Sequence, residues 1–270
     1  MNRSFIAVIA LCLLIALFDF YAARQTPVLM YHFVGTREQA EENSLIIAEE
    51  TLRKQISWLK KWGYQIYSLR EYENLFSGTA LPFSTRGVVL TFDDGNRDFP
   101  EKVFPILQQE QVPAASFLIW NNLTKQEQGS MSVAQAKILS ESPWVTFGSH
   151  TLSHPALTEL ADKELREEIF RSKSNLESAL KMPVLYFSYP SGYLNESARF
   201  LVKESGYRLA FTTSRKRLGK LREDRLSIPR VKVTQKDGAL IPFWWKASGW
   251  YSLVESFRFR TFQWVNGVFP

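Results

Sequence analysis

Apolar residues along the chain form short runs, separated by longer stretches in which they recur every three or four positions. The runs Val28–His32, Gln65–Ser68, Gly87–Phe92, Ala114–Ile119, Trp144–Gly148, Val184–Ser188 and Arg208–Phe211 read as strands. Between them lie helical patterns. In Glu49–Trp62 the residues Leu52, Ile56 and Leu59 share one face, and Gly63 is placed to end the helix. In Asp162–Lys181 the stripe is Leu165, Ile169, Leu176 and Leu180, closed by Pro183. Strands alternating with helices predict an α/β fold with parallel strands and the helices outside. Seven such units favour a barrel over an open sheet, with reactive residues at the strand C-terminal ends. No repeat or low-complexity linker interrupts residues 27–235.

Candidate chemistry sits at those strand ends. Thr91-Phe92-Asp93-Asp94-Gly95 follows the apolar Val88-Val89-Leu90. Adjacent carboxylates at a strand end point in different directions, so one can bind a cation while the other stays free to take a proton. The same residues also read as an ordinary Asp-Gly turn with solvated acids. Gly148-Ser149-His150-Thr151-Leu152-Ser153-His154-Pro155 follows another run, and a helical turn there would bring both imidazoles to one metal. A histidine pair at this spacing is, taken alone, often incidental. The chain has only three histidines, and the third, His32, also closes a predicted strand. Ser188-Tyr189-Pro190-Ser191-Gly192 closes one more, its Pro and Gly setting an unusual turn near the same rim. One carboxylate with two imidazoles leaves coordination positions open, as in a hydrolytic metal centre. A spare carboxylate supplies a general base and a third histidine a general acid for a leaving amine. That set describes amide or ester hydrolysis without naming the substrate.

Composition narrows the setting. The 270 residues are 45% hydrophobic and 22% charged with a single cysteine, Cys12, which excludes collagen-like, disordered and disulfide-stapled proteins. Met1-Asn2-Arg3, the apolar run Phe5–Phe18 and Asp19 have the layout of a secretory signal. Phe20 or Tyr21 stands where a cleavage site wants a small side chain, so residues 1–23 are expected to be a signal peptide or, by preference, a retained membrane anchor. The protein is thereby expected in the periplasm or cell envelope. Leu11 before Cys12 argues against a lipoprotein site. From Lys203 to Lys236 eleven Lys or Arg face three Asp or Glu, within a net charge of +6. No nucleic-acid motif accompanies the patch, which leaves a membrane surface, an anionic glycan or a solvated basic face. The stretch 236–270, with Trp244, Trp245, Trp250, Phe257, Phe259 and Trp264 among Lys246, Arg258 and Arg260, suits a membrane interface or packing onto the domain.

The motif residues resemble the polysaccharide deacetylase family, the carbohydrate esterases with a NodB-type domain, over roughly residues 27–235. Thr91–Gly95 matches the motif that supplies base and first ligand, which implies Asp93 as base and Asp94 as metal ligand. Ser149–Pro155 matches the motif of the metal histidines and implies His150 and His154. Ser188 stands where the third motif normally has an arginine, and no histidine follows His154 to match the family's late Leu-x-His motif. These departures, with the opening Leu29-Met30-Tyr31-His32, resemble the branch containing poly-N-acetylglucosamine N-deacetylases, in which the motif order is permuted. The resemblance implies a distorted (β/α)7 barrel and His32 as the general acid. It also implies a divalent cofactor, zinc by expectation, and an N-acetylated glycan of the envelope as substrate. Arg230 is the candidate replacement for the missing arginine, and the Ser191 N–H the candidate oxyanion donor. Two other readings stand beside this one: a deacylase of a lipid-linked amino sugar, and a non-catalytic glycan-binding protein. The intact Asp94, His150, His154 set argues against the second.

Overall fold

The computed structural model of the protein describes residues 5, 8, 26–76, 86–125, 129–213, 224–252 and 254–255. The expected export segment (Phe5 and Val8 apart), the basic residues Arg215–Arg222 and the aromatic residues past Glu255 lie outside the described residues.

Among the described residues, ten strands follow one another: β1 (Val28–Tyr31), β2 (Phe33–Gly35), β3 (Ile46–Ala48), β4 (Gln65–Ile66), β5 (Gly87–Phe92), β6 (Ala114–Leu118), β7 (Val145–Ser149), β8 (Tyr186–Ser188), β9 (Leu209–Thr212) and β10 (Ile228–Lys232). Seven of them close a parallel ring in the order β1-β10-β9-β8-β7-β6-β5, shut by pairing of β1 with β5 from Val28↔Val89 to Tyr31↔Phe92. Parallel strands need crossover connections, and the helices that supply them cover the outside of the ring. The chain is therefore the seven-stranded α/β barrel that the alternation predicts.

One member of the ring differs from expectation. Gln65–Ser68 shortens to β4, which pairs only with the start of β5 (Gln65↔Gly87, Ile66↔Val88) and stays outside the ring. Its place is taken by β10, whose sequence Ile228-Pro229-Arg230-Val231-Lys232 carries a proline and two cations and reads as part of the basic stretch. Pro229 is the second residue of β10 and stands opposite Thr212, where the pairing with β9 ends. Arg230 is tolerated because it has partners inside the barrel, described below.

Alternate strand positions face opposite ways. Val28, Val89, Ala115, Phe117, Leu209, Phe211 and Ile228 form an inner cluster, joined by Tyr67, Leu69 and Tyr72. Leu29, Leu90, Leu118 and Phe187 turn outward to meet the helical stripes Leu52/Ile56/Leu59 and Leu165/Ile169/Leu176. Each such side chain, fully buried, contributes about 1.5–3 kcal/mol. The helix Leu240–Ala247 docks on the helix Glu49–Lys61 through the buried Phe243, whose ring centroid lies 6.1 Å from that of Trp58 and 6.2 Å from that of Trp62. Its Leu240 and Ile241 are 49% and 75% exposed. Among the described residues, no helix is long and apolar enough to cross a membrane.

Candidate active site

Parallel strands put all their C-terminal ends on one rim, and the chemistry collects there. The Asp93 amide donates to the Tyr31 carbonyl at 3.0 Å, which sets His32, just past β1, beside Asp93, just past β5. His150 follows β7, and Ser188 ends β8. Four rim residues without glycine's freedom have positive φ: Asp94 (75°), Thr151 (70°), His154 (61°) and Ser191 (54°). Such backbone costs about 1–3 kcal/mol per residue and persists where surrounding contacts over-determine it, most often at functional sites.

Asp94, His150 and His154 offer ligand atoms that all lie within 4.8 Å of one another. The two rings stand nearly perpendicular with centroids 4.6 Å apart. His150 Nδ1 donates to the Ser188 carbonyl at 2.7 Å, which fixes the tautomer and leaves Nε2 with its lone pair toward the acids. Nε2 is 3.8 Å from Asp94 Oδ1 and 3.9 Å from Asp93 Oδ2. The histidine pair is not made by a helical turn, as its spacing suggested. Residues 150–156 form an irregular loop, and the left-handed conformations at Thr151 and His154 turn the chain back on itself.

The electrostatics separate the two carboxylates. Burial raises Asp93, but the Arg230 charge, helped by His150, outweighs it and holds this carboxyl below the usual range, ionised at neutral pH. Arg230 donates through Nη1 to Asp93 Oδ1 at 2.7 Å and through Nη2 to Oδ2 at 2.6 Å. The same Nη2 reaches Ser188 Oγ at 2.8 Å. The residue standing where the family motif has arginine thus touches the arginine that β10 provides. Asp94 fares oppositely: burial, then the neighbouring Asp93 charge, push it up to about 7. Burial pushes His150 down to about 4, and His154 is also lowered by burial. His32 is lowered too, by burial first, with Asp93 pulling the other way, so it rests neutral at pH 7. Ser191 sits in the turn Pro190–Gly192, its carbonyl accepting from Thr213 Oγ1 at 2.8 Å.

These residues fit a divalent cation. Two neutral imidazoles with a carboxylate are borderline ligands of the zinc type. Asp94 is pushed toward protonation by burial and by the Asp93 charge, and a bound cation would offset both. Asp93, already neutralised by Arg230, is the carboxylate left over. Ser188, read in the sequence only as the residue in the place of the motif arginine, meets Arg230 through a contact that leaves no spacing signature.

A parallel barrel with an acid–imidazole cluster and a separately held carboxylate on its C-terminal rim carries its reactive groups where barrel enzymes place theirs. Residues 81–210 match the polysaccharide deacetylase family model. YxkH of Bacillus subtilis (strain 168) is 26% identical over 187 residues, which cover 69% of this chain and 64% of that relative, just under two thirds of its length. The poly-beta-1,6-N-acetyl-D-glucosamine N-deacetylase of Staphylococcus aureus (strain MRSA252) is 23% identical over 216 residues, covering 76% of this chain and 72% of its own. Among solved structures, the Streptococcus pyogenes deacetylase PplD, in complex with acetate, superposes with a TM-score of 0.70 at 26% identity, covering 78% of this chain and 92% of that one. IcaB from Ammonifex degensii shares the fold with a TM-score of 0.70 at 24% identity, over 82% and 97% of the two chains.

Proposed function

We propose that this protein is a metal-dependent hydrolase that removes N-acetyl groups from an N-acetylglucosamine-containing polysaccharide of the cell envelope. The observation that carries the reading is the convergence of Asp94, His150 and His154 beside a carboxylate, Asp93, that Arg230 holds apart from them. The similarity to the staphylococcal N-deacetylase supports the substrate class. Asp94, His150 and His154 would hold the ion, with zinc the expected occupant. When bound, such an ion polarises an acyl carbonyl and acidifies a water.

The chain's own residues do the proton work. Asp93, ionised and aimed by two hydrogen bonds, accepts a proton from the attacking water. His32, on the adjacent strand end, passes a proton to the departing amine. The proton that Asp93 takes from the water balances the one that His32 gives to the amine. The backbone N–H of Ser191 is the proposed oxyanion donor. The products are acetate and a glucosamine unit.

Acetate release from N-acetylated glucosamine oligomers, measured with and without chelator, tests the reading. Asp93→Asn is expected to lose activity by at least about 10²-fold while keeping its metal, and His32→Ala to do the same. Loss of metal from Asp93→Asn would show that the two aspartates exchange roles.

A second reading, a deacylase of a lipid-linked amino sugar, is favoured by one observation. The exposed Leu240 and Ile241 lie on the helix that follows β10, a few residues after the exposed Lys232 and Lys236 in the chain. Lys246 of that helix donates to the Lys232 carbonyl at 2.8 Å, which ties this apolar ledge to the strand carrying Arg230. Envelope location, retention by residues 1–23 and contact of this ledge with a membrane belong to the same proposal. Comparing soluble oligomers with a polyprenyl-linked N-acetyl sugar separates the two substrates.

A further inference from the structure

The loop between the two histidines has three consecutive residues gripped from both sides. On one side, the first turn of the helix Trp120–Lys125 takes its carbonyls: Trp120 N–H donates to the Thr151 oxygen at 3.2 Å and Asn121 N–H to the Leu152 oxygen at 2.9 Å. On the other side stands Glu168 of the helix Asp162–Leu180. Its Oε2 accepts from Leu152 N–H at 2.9 Å and from Ser153 N–H at 3.0 Å, and its Oε1 accepts from Ser153 Oγ at 2.6 Å. The same helix holds the start of the loop, where Ser149 Oγ donates to Ser172 Oγ at 2.9 Å. Thr151 Oγ1 then accepts from the His154 amide at 2.9 Å, closing the turn.

Two left-handed residues in four would relax toward ordinary backbone unless something held them. A carboxylate accepting three hydrogen bonds is the strongest available restraint, since charge-assisted bonds are roughly twice as strong as neutral ones. Glu168 is only half-buried, whereas its helix neighbours Leu165 and Ile169 are fully buried, so the helix fixes the backbone beneath the acid. We infer that Glu168 is a positioning residue for the metal centre. It clamps Leu152 and Ser153 so that His154 is brought against His150 before any ion arrives. The inference rests on the metal-centre reading of Asp94, His150 and His154. It assigns Glu168 no contact with substrate or ion. Partners of this kind alter metal affinity by about 10–100-fold when removed.

The test is zinc binding by the full chain, read by calorimetry or chelator competition, together with thermal unfolding of the metal-free protein. Glu168→Ala is expected to bind one zinc with affinity about 10–100-fold weaker than the parent. Glu168→Gln keeps one oxygen to accept from the two amides and is expected to fall between them. Ser153→Ala loses a single bond and is expected to change affinity least. If Glu168→Ala fails to fold, the Gln variant carries the comparison. Unchanged zinc affinity in the variants, whether or not they melt lower, overturns the clamp and leaves Glu168 a stabiliser of the helix–loop contact alone. A parent protein that takes up no zinc overturns the metal-centre reading instead, and the clamp with it. Catalytic loss confined to the rate, with affinity intact, also counts against it.

Discussion

Both terminal nitrogens of Arg230 are committed to one carboxylate, and the side chains of that pair are 1% and 4% exposed. A buried pair is expensive to break because the survivor keeps its desolvation cost without its partner. Arg230→Met is therefore expected to destabilise the fold by about 3–5 kcal/mol, read by denaturant unfolding. Arg230→Lys keeps a charge but not the fork that bridges two oxygens, so kcat should fall with KM little changed. A lysine variant with parental kcat would remove Arg230 from the mechanism. The replacement of the missing motif arginine was legible in the sequence only as a candidate, because contact between β10 and the end of β5 depends on ring closure and not on spacing.

Asp98 gives a residue-scale prediction of a different sign. Its Oδ2 accepts from Val34 N–H at 2.6 Å, yet burial pushes its pKa up to about 6. An acid whose folded-state pKa lies above its unfolded value of 3.8 binds more protons when folded, so it lowers stability as pH rises between those two values. Asp98→Asn keeps an oxygen for Val34 and has no charge to bury. Its melting temperature relative to the parent is expected to increase from pH 4 to pH 7, and a flat difference across that range would contradict the argument.

At the scale of elements, the apolar runs located six of the seven ring strands because each is buried on both faces, as with the uninterrupted Gly87–Phe92. β2 and β3 are three residues each, too short to show a period. β10 was hidden by Pro229, Arg230 and Lys232, whose polarity is answered inside the barrel and on its rim. The motif loops were legible as chemistry but not as geometry: spacing alone suggested a helical turn for His150 and His154, and the left-handed residues that replace it have no sequence mark. Nor does Glu168 stand out, since a glutamate beside a helical apolar stripe reads as a solvated one. The turn Pro190–Gly192 shows the same dependence on tertiary contact. Gly192 has φ of 75°, and a β-carbon there would run into Thr213, whose hydroxyl also bonds the turn. Gly192→Ala is expected to cost at least about 1–3 kcal/mol and to displace Ser191. Equal melting temperatures for variant and parent would show that the turn relaxes freely.

For the whole molecule, the ring places its reactive rim and its exposed apolar ledge on one connected unit. β10 contributes Arg230 to the rim. The chain then continues through Thr234 and the buried Asp237, which accepts from Lys246 Nζ at 2.8 Å, into the helix of Leu240 and Ile241. Phe243 fixes that helix from beneath, so the exposed pair cannot turn inward without uncovering Trp58 and Trp62. An exposed apolar pair preceded in the chain by the exposed Lys232 and Lys236 suits an anionic bilayer surface, where side chains enter the interface and cations meet headgroups. Burying two partly exposed aliphatic side chains contributes roughly 1–3 kcal/mol at about 25 cal/mol per Å². Leu240→Ser with Ile241→Ser should therefore reduce co-sedimentation with phosphatidylglycerol vesicles by about tenfold or more. Thermal stability and activity on soluble oligomers should change little, since both side chains are exposed. Equal vesicle binding by parent and double variant would detach the ledge from any membrane role and return the lipid-linked substrate to a less favoured place than the soluble polymer.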